Sequence, residues 1–378
     1  MNFQSDISRL LAQLVSINTC YPPGSSDKFC SFVKSYLKDS KLYTRVVGRN
    51  SAKANLVAQN FAGNKKSLVF NSHIDTISPP LADWNTPPYK LTKKGKYLYG
   101  LGSVNCKGSA AVQLYLAKNL KKLFPNLKEN VAFTFVTDEE NLGKDGSYFL
   151  REKKIINPHT LVLGAPTNNN FIVEERGVFW ASVYINGKTA HAGEPHKGIN
   201  AIEKINNIIM KLQQQYKKVI KKNDFKNQKS TINIGLIKGG QNVNVVPSSA
   251  YFQIDRRITQ KETVQQSFSE LKRFIQSIEP KAKVVLDTGT NGFSSNKNNS
   301  YLKSLFSSYQ LVYRKNPKFL SCIGVSDGRY FSDDNINIIN IGPGDGDEGH
   351  RANEKMLIAD LSNYYKILFN FLTKLQNK

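Results

Sequence analysis

Three polar clusters in this chain have residue types that can do chemistry. In Asn71-Ser72-His73-Ile74-Asp75-Thr76, a histidine and a carboxylate stand two residues apart, directly after an apolar run that ends at Phe70. That spacing suits a metal ligand whose imidazole is oriented by a carboxylate. It suits equally a strand-end histidine that is merely hydrogen-bonded. In Thr137-Asp138-Glu139-Glu140, three consecutive carboxylates follow the run Val131–Val136. Such charges repel one another unless a cation or a proton relieves them, or unless the loop is solvated. The third cluster leads from Gly342-Pro343-Gly344 to His350, and its acids Asp345, Asp347 and Glu348 read as a solvated turn.

Each cluster needs an element to hold it. Residues 55–58, 67–70, 131–136 and 160–163 read as buried strands. Residues 107–123 read as a helix with Ala110, Ala111, Leu114 and Ala117 on its apolar face, and 145–153 as a short helix. That order predicts an α/β domain with a largely parallel sheet. Open parallel sheets place chemistry at the carboxyl ends of their strands, where all three clusters fall. The pattern changes near Arg176. Residues 178–185 alternate as a half-exposed strand does, followed by a helix over 199–221, strands over 231–237 and 250–257, a helix over 261–277 and a strand over 283–286. Strand-helix-strand-strand-helix-strand is the ferredoxin-like order. The α/β pattern then resumes with a helix over 300–313, a strand over 336–341 and a C-terminal helix from about residue 357. The expected division is 1–175 with 290–378 as one domain and 176–289 as an insertion, with 291–299 as the linker.

Composition sets the outer limits. With 378 residues and 40% apolar content, the chain is long enough for two cored domains and too apolar for disorder. No apolar run approaches the roughly 20 residues of a membrane helix. The start, Met1-Asn2-Phe3-Gln4-Ser5-Asp6, shows no signal peptide, and the four cysteines show no paired spacing, so a cytoplasmic protein with reduced thiols is expected. The net charge is +24, and 11 of the 53 basic residues are arginine, leaving 42 lysines spread along the chain. Such a charge admits a nucleic-acid or anionic-membrane partner. A coding bias toward Lys, Asn and Ile explains it more simply, so neither partner is expected.

Taken in order, the motifs resemble those of the co-catalytic zinc amidohydrolases and exopeptidases, the family of succinyl-diaminopimelate desuccinylase, acetylornithine deacetylase and carboxypeptidase G. The likeness runs nearly end to end. It includes His73-Ile74-Asp75, Trp84 with Pro87-Pro88, Tyr99-Gly100-Leu101-Gly102 leading to Lys107-Gly108, and Asp138-Glu139-Glu140. It continues with Gly187-Lys188-Thr189-Ala190-His191, Pro195-His196, Asn200-Ala201, Gly239-Gly240 to Asn244-Val245-Val246-Pro247, and Asp255-Arg256-Arg257. It ends with Ser326-Asp327-Gly328-Arg329 and His350 to Asn353-Glu354.

The resemblance implies an α/β zinc-exopeptidase-like catalytic domain with a mixed, largely parallel sheet, plus an inserted ferredoxin-like α+β lid and dimerisation domain. It implies hydrolysis of N-acyl amino acids or small peptides by a homodimer that binds zinc. By position, Glu139 is the acid/base, Asp75 orients His73, and His191 stabilises the oxyanion. Arg257, or less readily Arg256, binds a substrate carboxylate, with Asn244 also on the substrate side. Glu140 and His350 bind one zinc ion and His73 the other.

Two family positions differ. The bridging Asp is Asn105, in Asn105-Cys106-Lys107-Gly108, and the carboxylate of the Glu-Pro-Thr motif is Ala165, in Gly164-Ala165-Pro166-Thr167. Two zinc ions bring four positive charges, which a complete site balances with three carboxylates and a hydroxide. Of the ligand carboxylates only Glu140 is left. A stable dinuclear site is therefore not expected. The expectation is one zinc ion on Glu140 and His350, with Asn105 as a weak third ligand or a re-aimed His73, or no zinc at all. Cys106 is expected to be a buried thiol rather than a ligand. Three functions stay open: a hydrolase with an altered metal set, a catalytically inactive homologue that keeps ligand binding, and a basic protein that binds nucleic acid or other anions.

Overall fold

The computed structural model describes residues 3–20, 24–79, 81–320, 322 and 324–377, so Met1 and Asn2 of the N-terminal stretch lie outside it. The chain separates into two compact units, one of Met1–Val173, Ser295–Leu320 and Ser326–Lys378, the other of Glu174–Ser294 with Ser321–Val325. The borders differ from 175/176 and 289/290 for a physical reason. Glu174–Glu175 pairs antiparallel with Phe293–Ser294, so the chain enters and leaves the insertion as a two-stranded ribbon. Part of the expected linker 291–299 is therefore strand. Asn291 Oδ1 accepts from Val264 N, and Asn299 caps the next helix through Tyr301 N and Leu302 N.

The first unit is built on a six-stranded sheet in the order Tyr43–Val47, Asn55–Gln59, Val131–Val136, Ser67–His73, Pro158–Leu163, Asn337–Asn340. Its last three pairings are parallel and its first two antiparallel. The central strands are buried on both faces, which is why they read as unbroken apolar runs. The helix Lys107–Leu123 is buried from Lys107 through Ala117, not along one stripe. The helices Phe3–Ser16 and Ile358–Gln376 pack against it and cover what would have been its polar face. Helix Phe3–Ser16, helix Asp27–Tyr36 and edge strand Tyr43–Val47 were not anticipated. A small sheet of Lys355–Leu357, Tyr97–Tyr99 and Thr92–Lys94 brings Glu354 beside the loop that carries Asn105.

The second unit has the ferredoxin-like order, an antiparallel sheet of Thr231–Gly239, Ser249–Ile258, Gly177–Asn186 and Lys283–Thr290. Phe179, Ala181, Val183 and Ile185 point to its core, which Ile205, Ile208, Leu271 and Ile275 of two helices complete. The expected helix 199–221 begins at Ala201, where Asn200 caps it, and a π-helical turn at Leu212–Tyr216 divides it. No described helix is long and apolar enough to cross a membrane.

Candidate metal centre and active site

Parallel register brings the polar clusters together. Asn71 pairs with Leu163 and His73 with Val136, while Asn340 pairs with Leu163 from the other side. The residues that follow each strand therefore emerge on one edge. His73, Glu139, Glu140 and position 165 all belong to these strand ends.

His73 is buried, and both its ring nitrogens face acceptors. Nδ1 lies 3.2 Å from the Asp75 carbonyl, and Nε2 donates to Asn105 Oδ1 at 3.1 Å. Burial opposes a charge on the ring, but Cys106, Asp75 and Glu139 around it raise its pKa well above the ordinary value. The Asp75 carboxylate stands 3.5 Å from Nδ1 and accepts the Glu140 backbone N–H at 3.0 Å. The nearest brace on the ring is thus the Asp75 backbone, and its carboxylate ties the ring to the Glu140 loop.

Asn105 is the hub. Its Oδ1 takes His73, and its Nδ2 donates to Glu140 Oε1 at 2.7 Å and lies 2.9 Å from His350 Nε2. His350 Nε2 is itself 2.9 Å from Glu140 Oε1, a contact that raises the imidazole's pKa. Glu354 holds the loop below by accepting from the backbone N–H groups of Gly102, Val104 and Asn105. Burial pushes the Glu354 carboxyl up to about 7 and the neighbouring Lys107 ammonium down to about 7.

The three consecutive carboxylates do not share one relieving cation. Asp138 accepts from Lys53 Nζ at 2.7 Å. Glu139 accepts from the buried Arg329, Nη1 to Oε1 at 3.0 Å, and Arg329 Nη2 also reaches the Glu139 carbonyl at 3.3 Å. Glu140 pairs with Asn105 and His350. Burial raises the Glu139 carboxyl, while His73 and Arg329 oppose the rise. Lys53, Arg329 and Glu354 were missed as partners. Arg329 and Glu354 sit in quoted motifs, but nothing in one sequence says which carboxylate or loop they face.

Ala165 contributes no donor. Cys106 is buried, and its thiol donates to the Gly164 carbonyl at 2.9 Å, with burial raising its pKa. In the second unit, an isolated bridge joins His191 to Val245, and Ala192 N donates to Asn244 O, so His191 and Asn244 lie on adjacent segments. Gly193 N donates to His191 Nδ1 at 3.0 Å, which leaves the proton of a neutral ring on Nε2. Arg257 forms a bidentate pair with Asp255 at 2.7 and 3.0 Å. Arg256 is fully buried against Glu262, which makes it a core residue.

The residues do not fit a zinc pair. His73 has no anionic companion at position 165, and Asn105 is neutral with its amide already engaged. They do fit one divalent cation. Ligand atoms of His73, Glu139 and Glu140 lie within 4.8 Å of one another, and His350 adjoins Glu140. Because Glu139 is engaged by Arg329, the set of choice is His73, Glu140 and His350, two imidazoles and one carboxylate, a zinc-type donor set.

The strand-end cluster of His73, Glu139 and Glu140 sits on an α/β unit, and the insertion is a separate ferredoxin-like unit. Residues 173–283 match the peptidase dimerisation domain of the M20 family. The chain is 24% identical to a probable succinyl-diaminopimelate desuccinylase of Staphylococcus epidermidis over 97% of both proteins. It is 26% identical to a succinyl-diaminopimelate desuccinylase of Buchnera aphidicola over 83% of this chain and 86% of that protein. It superimposes on an M20 family metallo-carboxypeptidase of Sulfolobus solfataricus over 100% of both chains, with a TM-score of 0.81 and 16% identity. The chain has the M20 peptidase fold, and its second unit matches the dimerisation domain of that family.

Proposed function

We propose that this protein hydrolyses N-acyl amino acids or small peptides in the cytoplasm, as a homodimer, with one zinc ion per chain rather than two. The observation that carries this reading is the position of Glu140, beside both His73 and His350, with Glu139 next to it and braced by Arg329. A zinc ion on His73, Glu140 and His350 would polarise the scissile carbonyl and acidify a water molecule. The chain's own residues do the rest. Glu139 takes the proton of the attacking water and returns it to the leaving amine. Arg329 keeps the carboxylate aimed. Asp75 fixes the His73 ring and the Glu140 backbone together. His191, with its proton on Nε2, donates to the developing oxyanion. Arg257 holds a substrate carboxylate by sharing its fork with Asp255 or by exchanging it, and Asn244 is a further substrate contact.

Metal analysis combined with hydrolysis of an N-acyl amino acid panel tests the proposal. The expected result is about one zinc ion per chain and slow turnover that Glu139→Gln abolishes while the metal stays bound. Two zinc ions per chain, or turnover indifferent to Glu139→Gln, would overturn it. One observation favours a second reading, an inactive homologue that keeps ligand binding. The Asn105 amide engages His73 and Glu140 by hydrogen bonds alone, and Glu140 in turn engages His350. No zinc and no turnover, with binding of the N-acyl amino acid retained, is the signature of that reading.

A further inference from the structure

The sheet of the second unit has its helices on one face only. On the other face, cross-strand register builds a row across all four strands. Lys238 pairs with Tyr251, Tyr251 with Tyr184, and Tyr184 with Lys283. The row therefore reads Lys-Tyr-Tyr-Lys, with both tyrosines on the two central strands. Their rings stack at 5.6 Å with 23° between planes, and Lys283 Nζ lies 5.9 Å from the Tyr184 centroid. Tyr184 is 43% exposed and both lysines are exposed. Trp180, two pairs along, shares this face and is 37% exposed. Of the acids on this face, Asp255 is engaged by Arg257 and Trp180, and Asp287 accepts from Ser182.

We infer that this face binds single-stranded nucleic acid, with bases on Tyr184 and Tyr251 and phosphates at Lys238 and Lys283. Aromatic rings at the centre of a four-stranded antiparallel sheet offer a stacking platform that any unpaired base can use, whereas a duplex hides its base faces. The lysines stand three strand spacings apart, about 14 Å, so the two rings lie between two cationic ends. The charge of +24 supplies the long-range attraction that a polyanion needs. A second copy on this face would set lysines against lysines. An anionic membrane would engage the lysines but give the rings nothing to stack on.

Fluorescence anisotropy of the full chain with a labelled oligonucleotide of about twelve unpaired residues, in about 0.15 M salt, tests the inference. Binding should exceed that of the matching duplex. Tyr184→Ala with Tyr251→Ala should weaken it about tenfold or more, and Tyr184→Phe with Tyr251→Phe should not. Lys238→Gln with Lys283→Gln, an exposed pair that leaves the core untouched, should flatten the log–log salt dependence by about 1.4. The inference fails if nothing binds at that salt, if duplex binds as well, if phosphatidylserine vesicles bind and the oligonucleotide does not, or if a folded Ala pair binds as the parent does. Should the Ala pair not fold, an unchanged slope in the lysine pair is enough to overturn it.

Discussion

At the scale of residues, the centre is a set of charges each given its own partner, and two substitutions expose this. Asn105→Asp with Ala165→Glu returns an anion to each place where the family pattern carries one. Zinc should rise from about one toward two per chain, and hydrolysis of an N-acyl amino acid should rise with it. The two changes should be non-additive, because either alone leaves the His73 side short of a ligand. Zinc uptake equal to the parent's would refute the assignment. Lys53→Met leaves Asp138 buried without its ammonium, which should cost about 3 kcal/mol in urea unfolding. A loss below about 1 kcal/mol would mean that Lys53 and Asp138 contribute only as much as a surface pair. Much of the centre was legible as residue types: His73, Asp75, Glu139, Glu140 and His350 could be picked out by strand ends and motif. Their partners could not. Lys53 and Arg329 lie 85 and 190 positions from the carboxylates they engage, and local pattern carries no information on such pairs.

At the scale of elements, the strands around the centre were readable because burial on both faces gives continuous apolar runs. The helices Phe3–Ser16 and Asp27–Tyr36 were overlooked although Ile7, Leu10, Leu11 and Leu14 carry the helical spacing. The π-helical turn at Leu212–Tyr216 leaves the hydrophobic period almost unchanged and so has no signature in pattern. Element ends also carry titrations. Asp360 opens the helix Ile358–Gln376, and burial, helped by Asp345, pushes its carboxyl up to about 6. The folded chain therefore holds this proton between the unfolded value near 4 and about 6, so it binds more protons than the unfolded chain in that window. Stability from this group is present below about 4 and lost as pH rises through about 6. Asp360→Asn should remove that loss. The melting temperature of the variant relative to the parent should climb as pH goes from about 4 to 6, and a flat difference would refute the assignment.

At the scale of the whole molecule, exposed apolar side chains gather in the second unit. Ile202 and Met210 lie on the helix Ala201–Lys211, Ile237 on the edge strand Thr231–Gly239, and Val243 in the loop beyond. An unpaired edge beside an apolar helix face is suited to a twofold interface. Light scattering should give twice the monomer mass at micromolar concentration, and Ile202→Glu with Ile237→Glu should give the monomer. A parent that runs as a monomer would remove the interface. The insertion itself was legible because two hydrophobic periods meet near residue 176, but its borders were set by the ribbon of Glu174–Glu175 with Phe293–Ser294, too short to register as strands. Just outside that ribbon, Ser295 N donates to Val173 O at 2.8 Å. Residues 173 and 295 are thus neighbours in space, close enough for a short connection to join them. For recombination, the stretch Glu174–Ser294 is a cassette whose flanks already meet, and exchanging it for a segment twice as long adds only about 0.6 kcal/mol to the entropy of closing the host around it.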